Sequence, residues 1–433
     1  MAFTTVPYSG KLVLNANDIS WCSVSPTKAF LIYSGWTEGL NAGQRKLIIQ
    51  AVYFNGKNPA TFGPACSVGI IAGTWNTMPQ IASLTDGRLF VTMRESNLTF
   101  SYSVFNVEAG DLVSLSYKHG TLFTNLGAQC PVAVEALTAN KVLAAQTANA
   151  SNTYQLITVG ESELTITIVG GATVLTAHTN NGQTGTAIQL TGHSIKRDLD
   201  GNILVARSFI GNTVSSLDTN GIALTKFDKD GTPLYYGNLS AVMAGGVDVN
   251  GTQKGKDLLP ITATHVLALG AKTGALGYGG AVTGENTFTR LTLSASNGAS
   301  GSAGDSIAYR DATVAMFVDA IWLDDDYFFA MAFNRCPDGQ VGIRAPAQWD
   351  SLFRKASPQV AYIGKYNKDS NSLVMADSMP LALPGTQSYA TSQTKFLHRI
   401  SNTEVAIIQP TYTDDSGVSA AQYYEINVTV IGA

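Results

Sequence analysis

One stretch recurs along this chain at an almost fixed interval. Its copies are KAFLIYSG from Lys28, RLFVTMRES from Arg88, KVLAAQTAN from Lys141 and NILVARSFI from Asn202. Three more follow: HVLALGA from His265, DYFFAMAFN from Asp326 and EVAIIQPTY from Glu404. Consecutive starts lie 53 to 78 residues apart, most of them near 60. A repeated run of this kind cannot bury its apolar face alone and must stack on its neighbours. Each copy is preceded by a shorter apolar run and a turn: ISWCSVS, PQIASLT, PVAVEAL, HSIKRDL, DLLPIT, VDAIWLD and TKFLHRI. The intervening turns include Thr85-Asp86-Gly87, Thr138-Ala139-Asn140 and Asp200-Gly201. Asp-Gly and Asn-containing turns supply the positive φ that tight hairpins need. Third runs rich in β-branched and aromatic residues come next, such as KLIIQAVYFNG, LTFSYSVFNV and VAYIGKYN. Several units close with a fourth, as in LVSLSYKH, LTITIVG and PLYYGNLS. The segment Gly192 to Ser240 is the cleanest copy, two hairpins in tandem.

Four antiparallel strands repeated about seven times describe a β-propeller. The expected fold is all-β, a single β-propeller over residues 1–433, most simply of seven four-stranded blades. The blades fall at about 16–72, 78–120, 130–172, 190–241, 256–310, 317–382, and 394–433 completed by 3–15. The last unit stops after three strands, and the chain begins with a spare one, TTVPYSGKLVLN. That N-terminal strand would complete the last blade and remove an open edge. The long last step keeps six- and eight-bladed counts open. A tandem of sandwich domains is the alternative, but sandwiches need neither this period nor a spare strand matching a deficit at the other end.

Composition agrees with a turn-rich β protein. Charged residues make up 13% of the chain, against about 25% in an average soluble protein. Gly, Thr, Ser and Asn fill the gap, which favours turns and solvated strand faces over helices. Net charge is −4, and no basic stripe suggests a nucleic-acid partner. No run of 18 apolar residues crosses a membrane, and MAFTTVPYSG is not a Sec signal. Cys22, Cys66, Cys130 and Cys336 lack CxxC or zinc spacing and are expected as buried free thiols.

Strand order then divides the disc. With strands a to d from the inside out, a–b and c–d turns share one face, and b–c and d–a connections share the other. The a–b turns are short, so their face is expected to be smooth. Long b–c connections occur at residues 35–45, 271–286, 335–357 and 412–420, in blades that are consecutive around a closed ring. Long loops on a rigid scaffold are candidate binding elements. In RCPDGQVGIRAPAQWDSLFRKAS, Arg344, Trp349, Phe353 and Arg354 bring together the residue types that dominate binding hot spots. AQWDSLFRKA can also form a short capping helix that buries both aromatics. Trp36 and Tyr278 on neighbouring loops complete the candidate ligand-binding sector.

Familiar chemistry is missing. Asp198-Leu-Asp200-Gly201 and Asp228-Lys-Asp230-Gly231 open like a calcium loop but lack its later ligands, so hairpin turns explain them. Asp324-Asp325-Asp326 is likewise read as a solvated turn. The five histidines form no HxH or HExxH motif, and no GxSxG elbow is present. A weak Asp-box-like turn at Ser216–Gly221 has no second copy, and no glycosidase carboxylate pair can be named. No catalytic residue, metal site or cofactor is expected.

In fold pattern and composition the chain resembles β-propeller virion proteins of bacteriophages, the class of tail fibre, tail tip and vertex spike components. It departs from a typical fibre in having neither a repetitive stem nor a coiled coil. The resemblance implies a non-enzymatic structural and adhesion module, located in the virion and assembled in the host cytoplasm. The implied partners are other virion proteins, further copies of the chain, and a host surface glycan or protein receptor. A secreted lectin and a propeller glycosidase are the alternatives.

Overall fold

A computed structural model describes residues 1–5, 11–14, 16–35, 44–55, 58–72, 79–96, 99–124, 133–148, 151–160, 164–168, 189–210, 221–238, 257–262, 264–273, 284–292, 306–309, 314–334, 359–370, 372–381, 386–387, 397–413 and 423–432. Among these the structure is strand and turn, with one short 3-10 turn at Ala109–Asp111 and no α-helix. The N-terminal strands are β1 (Thr4–Thr5) and β2 (Lys11–Leu14). The first sheet holds β3 (Ala16–Ser25), β4 (Lys28–Gly35), β5 (Gln44–Asn55) and β6 (Asn58–Ala72). The second holds β7 (Gln80–Ser83), β8 (Leu89–Ser96), β9 (Thr99–Val107) and β10 (Val113–Thr124). The third holds β11 (Ala133–Thr138), β12 (Lys141–Ala148), β13 (Ser151–Val159) and β14 (Leu164–Ile168).

The fourth sheet holds β15 (Gln189–Arg197), β16 (Ile203–Ile210), β17 (Gly221–Phe227) and β18 (Pro233–Asn238). The fifth holds β19 (Asp257–Thr262), β20 (His265–Thr273), β21 (Gly284–Thr292) and β22 (Ser306–Tyr309). The sixth holds β23 (Val314–Trp322), β24 (Tyr327–Asn334), β25 (Gln359–Asn367) and β26 (Ser372–Leu381). All six are antiparallel meanders. A further, six-stranded sheet gathers both ends of the chain: β27 (Thr386–Gln387), β28 (Leu397–Ser401), β29 (Glu404–Thr413) and β30 (Tyr423–Gly432), with β1 and β2 on its edge. Thr4 pairs with Gly432, and Lys11 with Asn427. The N-terminal strands therefore do add to the last sheet.

Period-2 alternation explains the packing. Each strand points alternate side chains at the sheet before and the sheet after, so the core lies between sheets. Leu31, Phe54 and Val52 of the first sheet meet Ile408, Val428 and Val430 of the terminal sheet. Phe30, Ile32 and Ile49, on the other face, meet Ile81, Val91 and Phe105 of the second. Phe90 and Val104 meet Val142 and Ile157; Leu143 and Tyr154 meet Ile195 and Phe227. Leu259 and Leu267 meet Trp322 and Phe328, and Phe329 meets Leu397 and Ile407. Inner strands neighbour one another in chain order from β3 to β28, and contact of the terminal sheet with the first closes the circuit. This is a β-propeller arrangement.

The Asp-Gly turns differ from the tight hairpins expected of them. Gly87, Gly201 and Gly231 have φ of +90°, +85° and +90°, but Asp86, Asp200 and Asp230 are not left-handed. In the first of the fourth sheet's two turns, Gly201 N donates to Asp198 O at 3.1 Å and Asp198 N to Asn202 O at 2.9 Å. The second repeats this with Gly231 and Asp228 at 3.1 Å, and Asp228 and Thr232 at 2.9 Å. This is a longer turn closed by one left-handed glycine, a common hairpin alternative to the two-residue form. In both turns of the fourth sheet the Asp two residues before the Asp-Gly is part of the turn; in the Asp86-Gly87 turn that position is Leu84. Asp198 Oδ1 accepts the amides of Asp200 and Asn202, at 2.9 and 2.8 Å. Asp228 Oδ1 accepts those of Asp230 and Thr232, at 2.9 and 2.7 Å. Asp324 does the same for Asp326 and Tyr327, at 2.8 and 2.7 Å. The two described thiols differ: Cys22 is buried as expected, whereas Cys66 is half-buried and accepts the Val113 amide at 3.3 Å; Cys130 and Cys336 lie outside the described residues.

Candidate functional site

The innermost strands end at the a–b turns around an axial cavity of about 960 Å³. All seven sheets contribute to its wall. Its apolar part includes Trp21, Leu84, Leu137, Leu259 and Trp322. Its charged part comprises Glu135, Lys196, Arg197, Asp198, Asp319, Asp325 and Arg399. Strand register explains this concentration. Lys196, Leu204 and Lys226 form one cross-strand row of the fourth sheet, so both lysines project from one face, toward the fifth sheet. Arg197, one residue on, projects from the other face, toward the third.

These groups hold sheets together. Arg197 Nε donates to Glu135 Oε1 at 3.1 Å, and its terminal nitrogens donate to Gly201 O at 3.1 Å and to Ala136 O. Lys196 reaches from the fourth sheet past the fifth, donating to Ala320 O at 2.6 Å and pairing with Asp319 Oδ1 at 2.8 Å. Asp319 Oδ2 accepts the Leu397 amide at 2.9 Å, which carries the link on to the terminal sheet. Behind the wall Lys226 pairs with Asp198 Oδ2 at 2.7 Å, both side chains 0% exposed, and donates to Thr262 O on the fifth sheet. Burial depresses the Lys226 ammonium below its ordinary pKa, and the hydrogen bond and charge of Asp198 work against that shift. A charge this deep is retained only when paired and hydrogen-bonded.

Other seams carry similar bonds. Lys28 pairs with Asp111 between the first and second sheets and lies 5.0 Å from the Phe30 ring centroid. Arg88 donates to Gly160 O at 2.7 Å between the second and third. Tyr154 and Thr225 hydroxyls meet at 2.5 Å between the third and fourth. Trp322 Nε1 donates to Pro260 O at 2.7 Å between the sixth and fifth. Phe3 N donates to Asp377 Oδ2 at 2.9 Å, joining the N-terminus to the sixth. His398 bonds Ser23 across the seam of the terminal and first sheets at 2.7 Å. The side chains left facing solvent at the cavity mouth include Asp325 and Arg399.

Trp36, Tyr278, Arg344, Trp349, Phe353 and Arg354 lie outside the described residues, as do the connections that carry most of them. The cavity therefore adds a second region of interest, on the opposite face from the one the loop lengths single out. Sequence reasoning missed Glu135, Lys196, Lys226, Asp319 and His398 as a set. The signal was there: cations inside strands whose neighbours are apolar, as in SIKRD and ALTKF.

No protein-family model matches the sequence, and no curated protein matches it. Solved structures give distant likenesses. The subtype N11 neuraminidase-like protein of A/flat-faced bat/Peru (H18N11) is 10% identical, with 99% of this chain and 90% of that one covered and a TM-score of 0.40. An α-L-arabinofuranosidase from Fusarium graminearum is 8% identical, with 78% and 93% covered and a TM-score of 0.41. The Nup133 β-propeller domain of Vanderwaltozyma polyspora is 8% identical, with 95% and 100% covered and a TM-score of 0.42. At these identities and scores the likenesses carry no argument about fold or chemistry.

Proposed function

We propose that the chain is a seven-bladed propeller acting as a non-enzymatic structural and adhesion module of a bacteriophage virion. The six-stranded sheet is the seventh blade in this reading. Its strands β27 and β28 share the inner position, and β1 and β2 share the outer one, which makes four positions across, as in the other sheets. The observation that carries the non-enzymatic reading is the use made of three of the cavity's four described carboxylates; the fourth, Asp325, faces solvent at the mouth, and no second free carboxyl lines the cavity with it among the described residues. Glu135 receives Arg197, Asp319 receives Lys196 and the Leu397 amide, and Asp198 receives Lys226 and the turn amides. A glycosidase needs one carboxyl free to give a proton and another free to attack or to activate water. Carboxylates bound up in strand contacts suit a rigid scaffold better.

The virion assignment rests on composition and on the fold. The face of short turns docks to other virion proteins or to further copies of the chain, and the loops carrying Trp36, Tyr278, Arg344, Trp349, Phe353 and Arg354 meet a host glycan or protein receptor. Gold-labelled antibody against the chain should decorate purified phage particles at the tail or a vertex; unlabelled particles would overturn the assignment. On a glycan array, Trp349→Ala and Trp36→Ala should each weaken binding, and unchanged binding by both would remove the loop sector. Release of reducing sugar from host polysaccharide would favour a propeller glycosidase instead.

A further inference from the structure

His398 lies where the ring closes. It sits on the innermost strand of the terminal sheet, is 1% exposed, and faces the first sheet. The Phe54 ring stacks on the imidazole at 4.5 Å between centroids, and Trp21 meets it edge-on at 5.6 Å. Both ring nitrogens are bound to the first sheet. Nε2 lies 3.1 Å from Pro26 O, which can only accept, so Nε2 carries the proton. Nδ1 lies 2.7 Å from Ser23 Oγ and accepts its hydroxyl. The neutral imidazole thus satisfies every polar group at this point of the seam.

Protonation changes that balance. A second N–H at Nδ1 turns the Ser23 hydroxyl from donor to acceptor and leaves a full charge in an apolar cluster with Tyr33, Phe54, Ile400 and Val428. The charged or titratable groups with described side chains on the surrounding elements are Cys22, Lys28, Tyr33, Lys46, Tyr53, Arg399 and Glu404; Cys22 and Tyr53 face the second sheet, and Lys46 lies at the far end of β5 from Phe54. Lys28 is paired with Asp111, Tyr33 donates to Gln50 at 3.0 Å, Arg399 faces the axial cavity, and Glu404 opens β29. None contributes to the titration of the ring. The rings of Phe54 and Trp21 attract a cation only weakly compared with the loss of its hydration.

We propose that His398 is an acid-operated latch: its protonation releases the first sheet from the terminal sheet while the other seams hold. The other seams are closed by apolar contacts, carboxylate pairs and backbone carbonyls, and carboxylates protonate at lower pH than a histidine. Burial holds the imidazole near a pKa of about 4, against 6.5 for a free histidine, and the Pro26 carbonyl opposes the shift only in part. The opened form takes up the proton first. Seam stability is therefore full above pH 6.5 and is lost as pH falls toward 4.

Hydrogen exchange read by mass spectrometry tests this on the intact chain. Corrected for intrinsic rates, opening of the seam peptides containing Ala16–Ser25 and Leu397–Ser401 should rise about 30-fold from pH 8 to pH 5. Peptides of β8 and β12 should change by less than about 3-fold. His398→Gln keeps a donor and an acceptor but does not titrate, so its pH ratio at the seam should fall to about 1 whatever its absolute opening rate. A ratio near 1 in the parent, an equal ratio at every seam, or a ratio retained in the variant would each overturn the latch. If the variant does not fold, the parent decides by NMR: a His398 ring titrating near 6.5 overturns the proposal, and one titrating near 4 upholds it.

Discussion

The fourth sheet holds two copies of one motif, Asp198-Leu-Asp200-Gly201 and Asp228-Lys-Asp230-Gly231, at the same end of the same sheet. Their backbones agree bond for bond. Their surroundings do not. The inner copy buries Asp198 against Lys226, with both side chains fully enclosed. The outer copy leaves its acids in or near solvent, with Lys229 pairing Asp230 on the surface. The glycines reverse the order. A Cβ on Gly201 would meet nothing within 4 Å, whereas one on Gly231 would come within 2.8 Å of Leu137 and Leu156 on the third sheet. Local sequence sets the turn, and neighbouring sheets decide which of its residues matters. The carboxylate carries the inner copy, and the missing side chain carries the outer one.

Substitutions can break this crossed pattern. Asp198→Ala leaves a buried ammonium without its partner and should cost about 3–5 kcal/mol in urea unfolding. Gly231→Ala adds overpacking to a left-handed backbone and should cost about 2–4 kcal/mol. Gly201→Ala meets only the backbone term, about 1–2 kcal/mol. Asp228→Ala removes the carboxylate that accepts two backbone amides at a half-exposed turn, about 1 kcal/mol or less. If Asp228→Ala cost as much as Asp198→Ala, or Gly201→Ala as much as Gly231→Ala, the two turns would not be distinguished by their neighbours.

The smallest expected effect is in the acid range. Burial alone would raise the Asp228 pKa, but hydrogen bonds from Thr232, Asp230 and Gly231 outweigh it and hold the carboxyl below its usual range. Its contribution is present above the ordinary carboxylate pKa and is lost as pH falls through the depressed value. Comparing the parent with Asp228→Asn, the stability difference should therefore narrow below about pH 4. A difference that widened there would reverse the assignment.

The two turns also show how much the sequence reveals. KAFLIYSG, NILVARSFI and their relatives have the period-2 pattern and spacing that define strands and units, and TTVPYSGKLVLN announces the strand that joins the last sheet. The Asp-Gly pairs mark turns because only glycine takes positive φ without strain. None of this says that Asp198 is enclosed and Asp228 is not, since both stand in the same local context. Lys226 could be flagged as a lysine in an apolar strand, but its partners come from another turn and another sheet. Glu135 and Arg197 lie 62 residues apart, and Ser23 and His398 lie 375 apart. Such pairs become visible only when the ring brings inner strands together. The loop residues Trp36 and Trp349 were singled out by type and by loop length, and their test is binding.

Charges around the axis serve to hold sheets together. A double-mutant cycle by urea unfolding on Lys196→Met and Asp319→Asn, the pair that joins the fourth sheet to the sixth, tests this most directly. Each single change should be strongly destabilising and the pair should recover part of the loss, with a coupling of about 2–3 kcal/mol. Losses that add to within about 0.5 kcal/mol would contradict it.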